Sequence, residues 1–168
     1  MTSSSSIVAT STLVDLGSGS QLALFGFRAC AFGQAKCCCL LKTFKDVFGE
    51  ESGGRVLGKF LDLARALGHD GRRKLKLAAP GCIRLTHDEA SVLSALSAAQ
   101  HGDESLRDAH LTWLLARTPD AEHQDLVDWI SMAMGGHGLT VTPPEAVAEE
   151  PCETPKGPTL VSVNVGHA

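Results

Sequence analysis

Cys37, Cys38 and Cys39 stand in a row seven residues beyond Cys30, within a stretch from Leu22 to Phe48 that also holds five of the six phenylalanines. Thiols offer three kinds of chemistry: a thiolate can act as nucleophile or redox centre, it can ligate a soft metal, and a neutral thiol packs as a small apolar group. Consecutive residues of a helix point about 100° apart, so three neighbours cannot share one environment. Cys37 falls in the apolar row of Leu40, Leu41, Phe44, Val47 and Phe48 and is expected to pack. Cys38 lies one turn before Lys42, in the first turn of a helix expected from Ala35 to Phe48. A nearby ammonium and a helix N-terminus both favour thiolate, which makes Cys38 the expected reactive thiol. Cys39, near Lys36, Thr43 and Asp46, belongs at the boundary.

Zinc sites gather paired cysteines with a second pair downstream. Here the downstream supply is Cys82, with His69 and His87 nearby. A zinc or iron–sulfur site drawn from Cys30, Cys37, Cys38, Cys39 and Cys82 therefore stands beside redox sensing and plain packing, and no cofactor is assigned. Adjacent thiols make a poor disulfide framework and suit a reducing compartment. The first twenty residues lack the basic and apolar regions of a secretory signal. No apolar run reaches the roughly 18–20 residues that span a bilayer. The expectation is a cytoplasmic protein with no membrane partner.

The chain shows no glycine-rich phosphate loop, no nucleophile-elbow serine and no zinc-protease motif, so it reads as non-enzymatic. Asp108 and His110, two apart on a helix, do not face each other. Charge is more informative. The formal net charge of −4 hides a division: from Gln21 to Leu85 twelve Lys or Arg face five acids, and from Thr86 onward three face thirteen. Arg55, Lys59, Arg72, Arg73, Lys74, Lys76 and Arg84 form the expected binding surface of the basic half. Opposite blocks can neutralise one another on folding, steer an asymmetric protein partner, or meet a nucleic acid.

These residues need elements to hold them. Leu, Ala and Val dominate a 43% hydrophobic chain of 168 residues that has no tyrosine, which favours helix. Helical periods predict helices over 22–32, 35–48, 54–67 (capped by Ser52), 87–100, 104–116 and from Pro119 to about Met134. Thr86-His87-Asp88-Glu89 is a capping-box pattern. In the fifth helix Leu106, His110, Trp113 and Leu114 align, and that face is expected inside. Between the third and fourth helices, Leu75 and Leu77 alternate with Lys74 and Lys76, and Ile83 and Leu85 flank Arg84. With Pro80-Gly81 as a turn, this predicts a small β-hairpin near 73–85. The fold class is mainly α: a single domain of about six helices with one hairpin. Its ends are expected to be a disordered Ser/Thr-rich segment over 1–21 and a Pro/Glu-rich tail over 143–168, enclosing a helical domain over 22–142. Within that domain, 22–85 is basic and 86–142 acidic.

Helices followed by a basic hairpin resemble, in element order over about 22–85, a winged helix-turn-helix domain. That resemblance implies DNA binding, with the third helix in the major groove and the hairpin on phosphates. Against it, the third helix spends Leu57, Phe60, Leu61, Leu63 and Leu67 on packing, and the acidic half would repel a polyanion. The leading expectation is a regulatory or protein-interaction domain with a protein partner. A winged-helix-like regulator that binds nucleic acid and a metal or redox sensor are the alternatives.

Overall fold

A computed structural model describes residues 11–145 and residue 147. After a 3-10 turn at Leu13–Asp15, the described chain forms six α-helices: α1 Ser18–Ala31, α2 Cys38–Phe48, α3 Glu50–Asp70, α4 His87–Gln100, α5 Glu104–Leu115 and α6 Ala121–Gly136. The protein is thus mainly helical. Of the segment expected to be disordered, residues 1–10 lie outside the described residues, but α1 already begins at Ser18, ahead of the expected Leu22. The Ser20 hydroxyl donates to the Thr142 carbonyl and accepts from the Thr142 amide, each at 2.8 Å. Val141 is fully buried beside this clasp. Most of the expected tail, with Cys152, lies outside the described residues.

Gly33, at φ +78°, ends the turn after α1, so the stretch from Leu22 to Phe48 is two helices. A single residue then joins α2 to α3. Gly49 closes one helix and opens the next at φ 91°, ψ 158°, a region that essentially only glycine occupies. Ser52 is therefore not the cap of α3, which starts at Glu50.

The short joint folds α2 back on α3. Phe44 and Phe60, both fully buried, meet edge to face with ring centres 5.8 Å apart. The Phe44 ring also fills the gap above Gly26, where a Cβ would come within 2.5 Å of it. Gly26 of α1 thus admits an aromatic side chain from α2. α3 packs against α1, α2 and α6, and α4 packs against α5 and α6. Among the described residues no helix is long and apolar enough to cross a membrane.

The β-hairpin expected near 73–85 is absent. Residues 71–86 hold no strand, only one isolated bridge residue at Lys76. The alternation that suggested strands is real as burial: Leu75, Leu77 and Leu85 are buried, while Lys74, Lys76 and Arg84 are exposed. What differs is the backbone's partner. Lys76 N–H donates to Asp88 Oδ2 at 2.7 Å, and Ala78 and Thr86 N–H donate to the two Glu89 oxygens, both at 2.9 Å. Carboxylates at the head of α4 take the amides that a second strand would have taken. Pro80-Gly81 does turn, with Cys82 N–H bonded to the Ala79 carbonyl at 3.0 Å.

Candidate functional site

The capping box at the head of α4 is present: Glu89 N–H donates to the Thr86 hydroxyl, and Glu89 accepts from Thr86 N–H. The same Glu89, wholly buried, pairs with Arg28 of α1. Arg28 Nε and Nη2 donate to Oε1 and Oε2 at 2.6 and 2.8 Å. Its Nη1 and Nη2 also donate to the Cys82 and Arg84 carbonyls, both at 2.7 Å. Beside it, Arg73 grips Asp88 through both terminal nitrogens, at 3.1 and 2.5 Å. Burial opposes ionisation of Asp88, but the hydrogen bonds from Arg73 and from the Lys76 amide outweigh it and hold the carboxyl below its usual value. Two of the cations counted in the basic half are thus consumed inside the fold.

Of the expected binding surface, Arg73 is spent, Lys59 lies half-buried 5.8 Å from the centre of the Trp129 ring, and Arg55 is exposed on α3. Arg72, Lys74, Lys76 and Arg84 remain exposed on an irregular loop. They share a loop but have no wing to stiffen it.

The cysteines are separated. Cys30 is buried on α1 with its sulfur 3.9 Å from the Leu57 carbonyl, and burial pushes its thiol up to about 12. Cys82 is half-buried in the loop, and Cys37, Cys38 and Cys39 are all exposed. Among the described residues no three His, Cys, Asp or Glu gather into a group that could hold a metal ion. The expectation that Cys37 packs is corrected: α2 starts at Cys38, not near Ala35, which leaves Cys37 as the extended N-cap residue in solvent. Its sulfur makes no cap hydrogen bond of regular geometry. The Leu40 and Cys39 amides nevertheless lie against it and hold its pKa below the ordinary thiol value, while Cys38 and Cys37 push Cys39 up. Cys37 is therefore expected to account for the fast phase of labelling by a small alkylating reagent at neutral pH. Cys37→Ser should abolish that phase and Cys38→Ser should keep it; a fast phase surviving in Cys37→Ser contradicts the assignment.

A third polar cluster joins α3 to α6. His123, fully buried, has Nδ1 2.5 Å from Asp120 Oδ1 and Nε2 3.1 Å from Asp70 Oδ2, the second contact lying off the hydrogen-bond direction. Arg117 Nε donates to the Asp70 carbonyl at 2.9 Å. The cluster fastens the end of α3 to the start of α6. The open groove beside it, about 740 Å³, sets Lys59, Arg65 and His69 among Asp62, Asp70, Glu122 and Asp125.

The feature with the clearest use is α5, where Leu114 alone of the expected inward face is buried and Leu106, His110 and Trp113 lie towards the outside. Leu106 is 46% exposed and Trp113 57%, with His110 half-buried between them. The buried side instead carries Leu111, Leu114, Leu115 and Arg107, the last only 6% exposed. Arg107 is accepted inside because Nε meets Asp108 Oδ1 at 2.9 Å and Nη1 meets Asp128 Oδ2 at 2.6 Å. With Arg107 and Asp108 turned towards α6, the outward arc is Ser105, Leu106, Ala109, His110, Thr112 and Trp113, followed by Ala116. That arc carries no Lys, Arg, Asp or Glu.

Trp113 is also held in place. The Arg73 guanidinium sits 5.2 Å from its ring centre, and Arg73 Nε donates to the Trp113 carbonyl at 3.0 Å. Sequence reasoning missed this face because helical period alone allows two apolar rows in α5. The deciding signal was Arg107 at a buried register with an acid, Asp128, to meet it on α6. Comparison with family models, curated proteins and solved structures finds no match.

Proposed function

We propose that this chain is a non-enzymatic protein-interaction domain whose docking surface is the outward face of α5. The observation that carries the reading is the inversion of that helix: it hides an arginine and presents tryptophan, leucine and small residues. A scattered exposed apolar residue is ordinary. Leu106 and Trp113, two turns apart and joined by an uncharged surface, are a patch. Interface centres are depleted in charge and use tryptophan as an anchor. Trp113 is braced by Arg73, so less ordering free energy is lost when a partner covers it.

A photo-crosslinking residue placed at position 113 should give discrete adducts in expressing cells. The same residue at Met132, an isolated apolar side chain 78% exposed on α6, should not. Equal yields at the two positions, or none at 113, would sink the docking reading.

The second reading is thiol sensing, supported by Cys37. Its exposed sulfur at an N-cap suits reaction with a small electrophile or disulfide. Nucleic-acid binding draws on Arg55 and the exposed loop cations and lacks the hairpin that would have presented the latter.

A further inference from the structure

We infer that Cys37 and Cys39 form a reversible disulfide when a small disulfide oxidises the chain, with Cys37 as the attacking thiol and Cys39 as the resolving one. This rests on the thiol reading above and names the fate of that thiol. Backbone geometry selects the pair. The distance between the Cα atoms of Cys37 and Cys39 is set by the φ and ψ of the residue between them, and Cys38 is the first helical residue of α2. Helical dihedrals there put the two Cα atoms about 5.4 Å apart, inside the roughly 4.4–6.8 Å that disulfides span. Adjacent cysteines, about 3.8 Å apart across a trans peptide, fall outside that range. Two residues apart within a helix, side chains point about 200° away from each other and do not meet. Cys37 escapes this because it is the N-cap, with ψ at 126°, outside the helical range. Its sulfur lies against the Cys39 amide and within hydrogen-bond reach of the Cys39 and Cys38 thiols. All three are exposed, so an oxidant in solvent reaches them.

The reaction is two exchanges. The Cys37 thiolate attacks one sulfur of the small disulfide, whose S–S bond breaks and releases one small thiolate. The Cys39 thiol then gives its proton to water, and its sulfur attacks that of Cys37 and expels the second small thiolate. Each released thiolate takes up a proton. Two protein thiols are thus oxidised to one disulfide, and one small disulfide is reduced to two thiols. The order fits the charges. Cys38 and Cys37 push the Cys39 thiol up, and the share owed to Cys37 ends once that sulfur is bonded. The Leu40 and Cys39 amides stabilise the free Cys37 thiolate, and a pair whose reduced form is stabilised is readily reduced again.

Mass spectrometry on the full chain tests this. The folded protein, reduced and then treated with oxidised glutathione at neutral pH, is blocked with an alkylating reagent and digested with trypsin. Cleavage after Lys36 and Lys42 isolates Cys37, Cys38 and Cys39 on one peptide that holds no other cysteine. The parent should give this peptide with one internal disulfide and one alkyl group, located on Cys38 by fragmentation. A small thiol should reopen the bond. Cys38→Ser should form the same disulfide, whereas Cys39→Ser should stop with glutathione held on Cys37, an adduct absent from the parent. An alkyl group on Cys37 or Cys39 beside an internal disulfide overturns the inference. So does a parent peptide recovered with three alkyl groups, or one that keeps glutathione as Cys39→Ser does. A lasting adduct on Cys37 leaves the thiol reading standing, since that sulfur has reacted. A fast alkylation phase that survives in Cys37→Ser contradicts the thiol reading itself.

Discussion

Glu89→Gln is expected to lower the melting temperature of this protein by on the order of 10 °C. The substitution removes the charge but keeps the shape, and it leaves Arg28, 3% exposed, without its counter-ion. Breaking one side of a buried ion pair costs about 3–5 kcal/mol, because the remaining charge stays desolvated. Set against the roughly 5–15 kcal/mol that holds a typical domain, this is a large share. For chains of about this length, each kcal/mol moves the midpoint by about 2–4 °C. Two contacts specific to this site add to the loss. The Ala78 and Thr86 amides both end on Glu89, so the loop over 71–86 loses anchorage together with the pair. The apolar double variant Arg28→Met with Glu89→Leu is expected to recover only part of the loss, since it strands those amides and the Cys82 and Arg84 carbonyls. Thermal unfolding followed by circular dichroism checks both. A Glu89→Gln chain melting with the parent would show that the pair holds nothing together.

Gly53→Ala is the second large effect, and its sign runs against helix propensity. Alanine in place of glycine inside a helix favours the helix by about 1 kcal/mol. At Gly53, however, an added Cβ would stand 2.5 Å from Lys45 Cα and N and 2.7 Å from the Phe44 carbonyl carbon. These are backbone atoms, which cannot swing aside as a side-chain tip can, so α2 and α3 must part. Parting them opens the contact of Phe44 with Phe60, at 5.8 Å between ring centres. Overpacking costs about 1–3 kcal/mol and more where backbone must move, so a loss at or above the upper end is expected. Gly58 in the same helix is the internal control, since a Cβ there meets nothing within 4 Å. Gly58→Ala should stabilise by about 0.5–1 kcal/mol. Denaturant unfolding that shows both variants stabilised, or both destabilised, would contradict the close α2–α3 approach.

These two sites mark where the sequence was legible and where it was not. The capping box of α4 could be read from Thr86 and Glu89 alone, because both partners lie within one turn. The role of Arg28 could not, since its carboxylate lies sixty-one residues away and nothing local links them. The hairpin expectation failed for the same cause. Alternating leucines and lysines do report alternating burial, but the loop's amides are bonded to Asp88 and Glu89 and not to a second strand. In the thiol run, misplacing the start of α2 by a few residues exchanged a packed Cys37 for an exposed one. In α5 the two apolar rows differ only in which one takes Arg107, and an acid on α6 decides it. Helix number and class depend on local period and composition, so they were legible. The surfaces depend on long-range pairs and were not.

The docking reading of α5 depends first on Trp113 standing outside, 57% exposed. Acrylamide quenching of Trp113 fluorescence, measured in a Trp129→Phe chain so that Trp113 is the one tryptophan, reads that exposure directly. Strong quenching in dilute protein is the expected result. Quenching as weak as that of a buried tryptophan would contradict the reading.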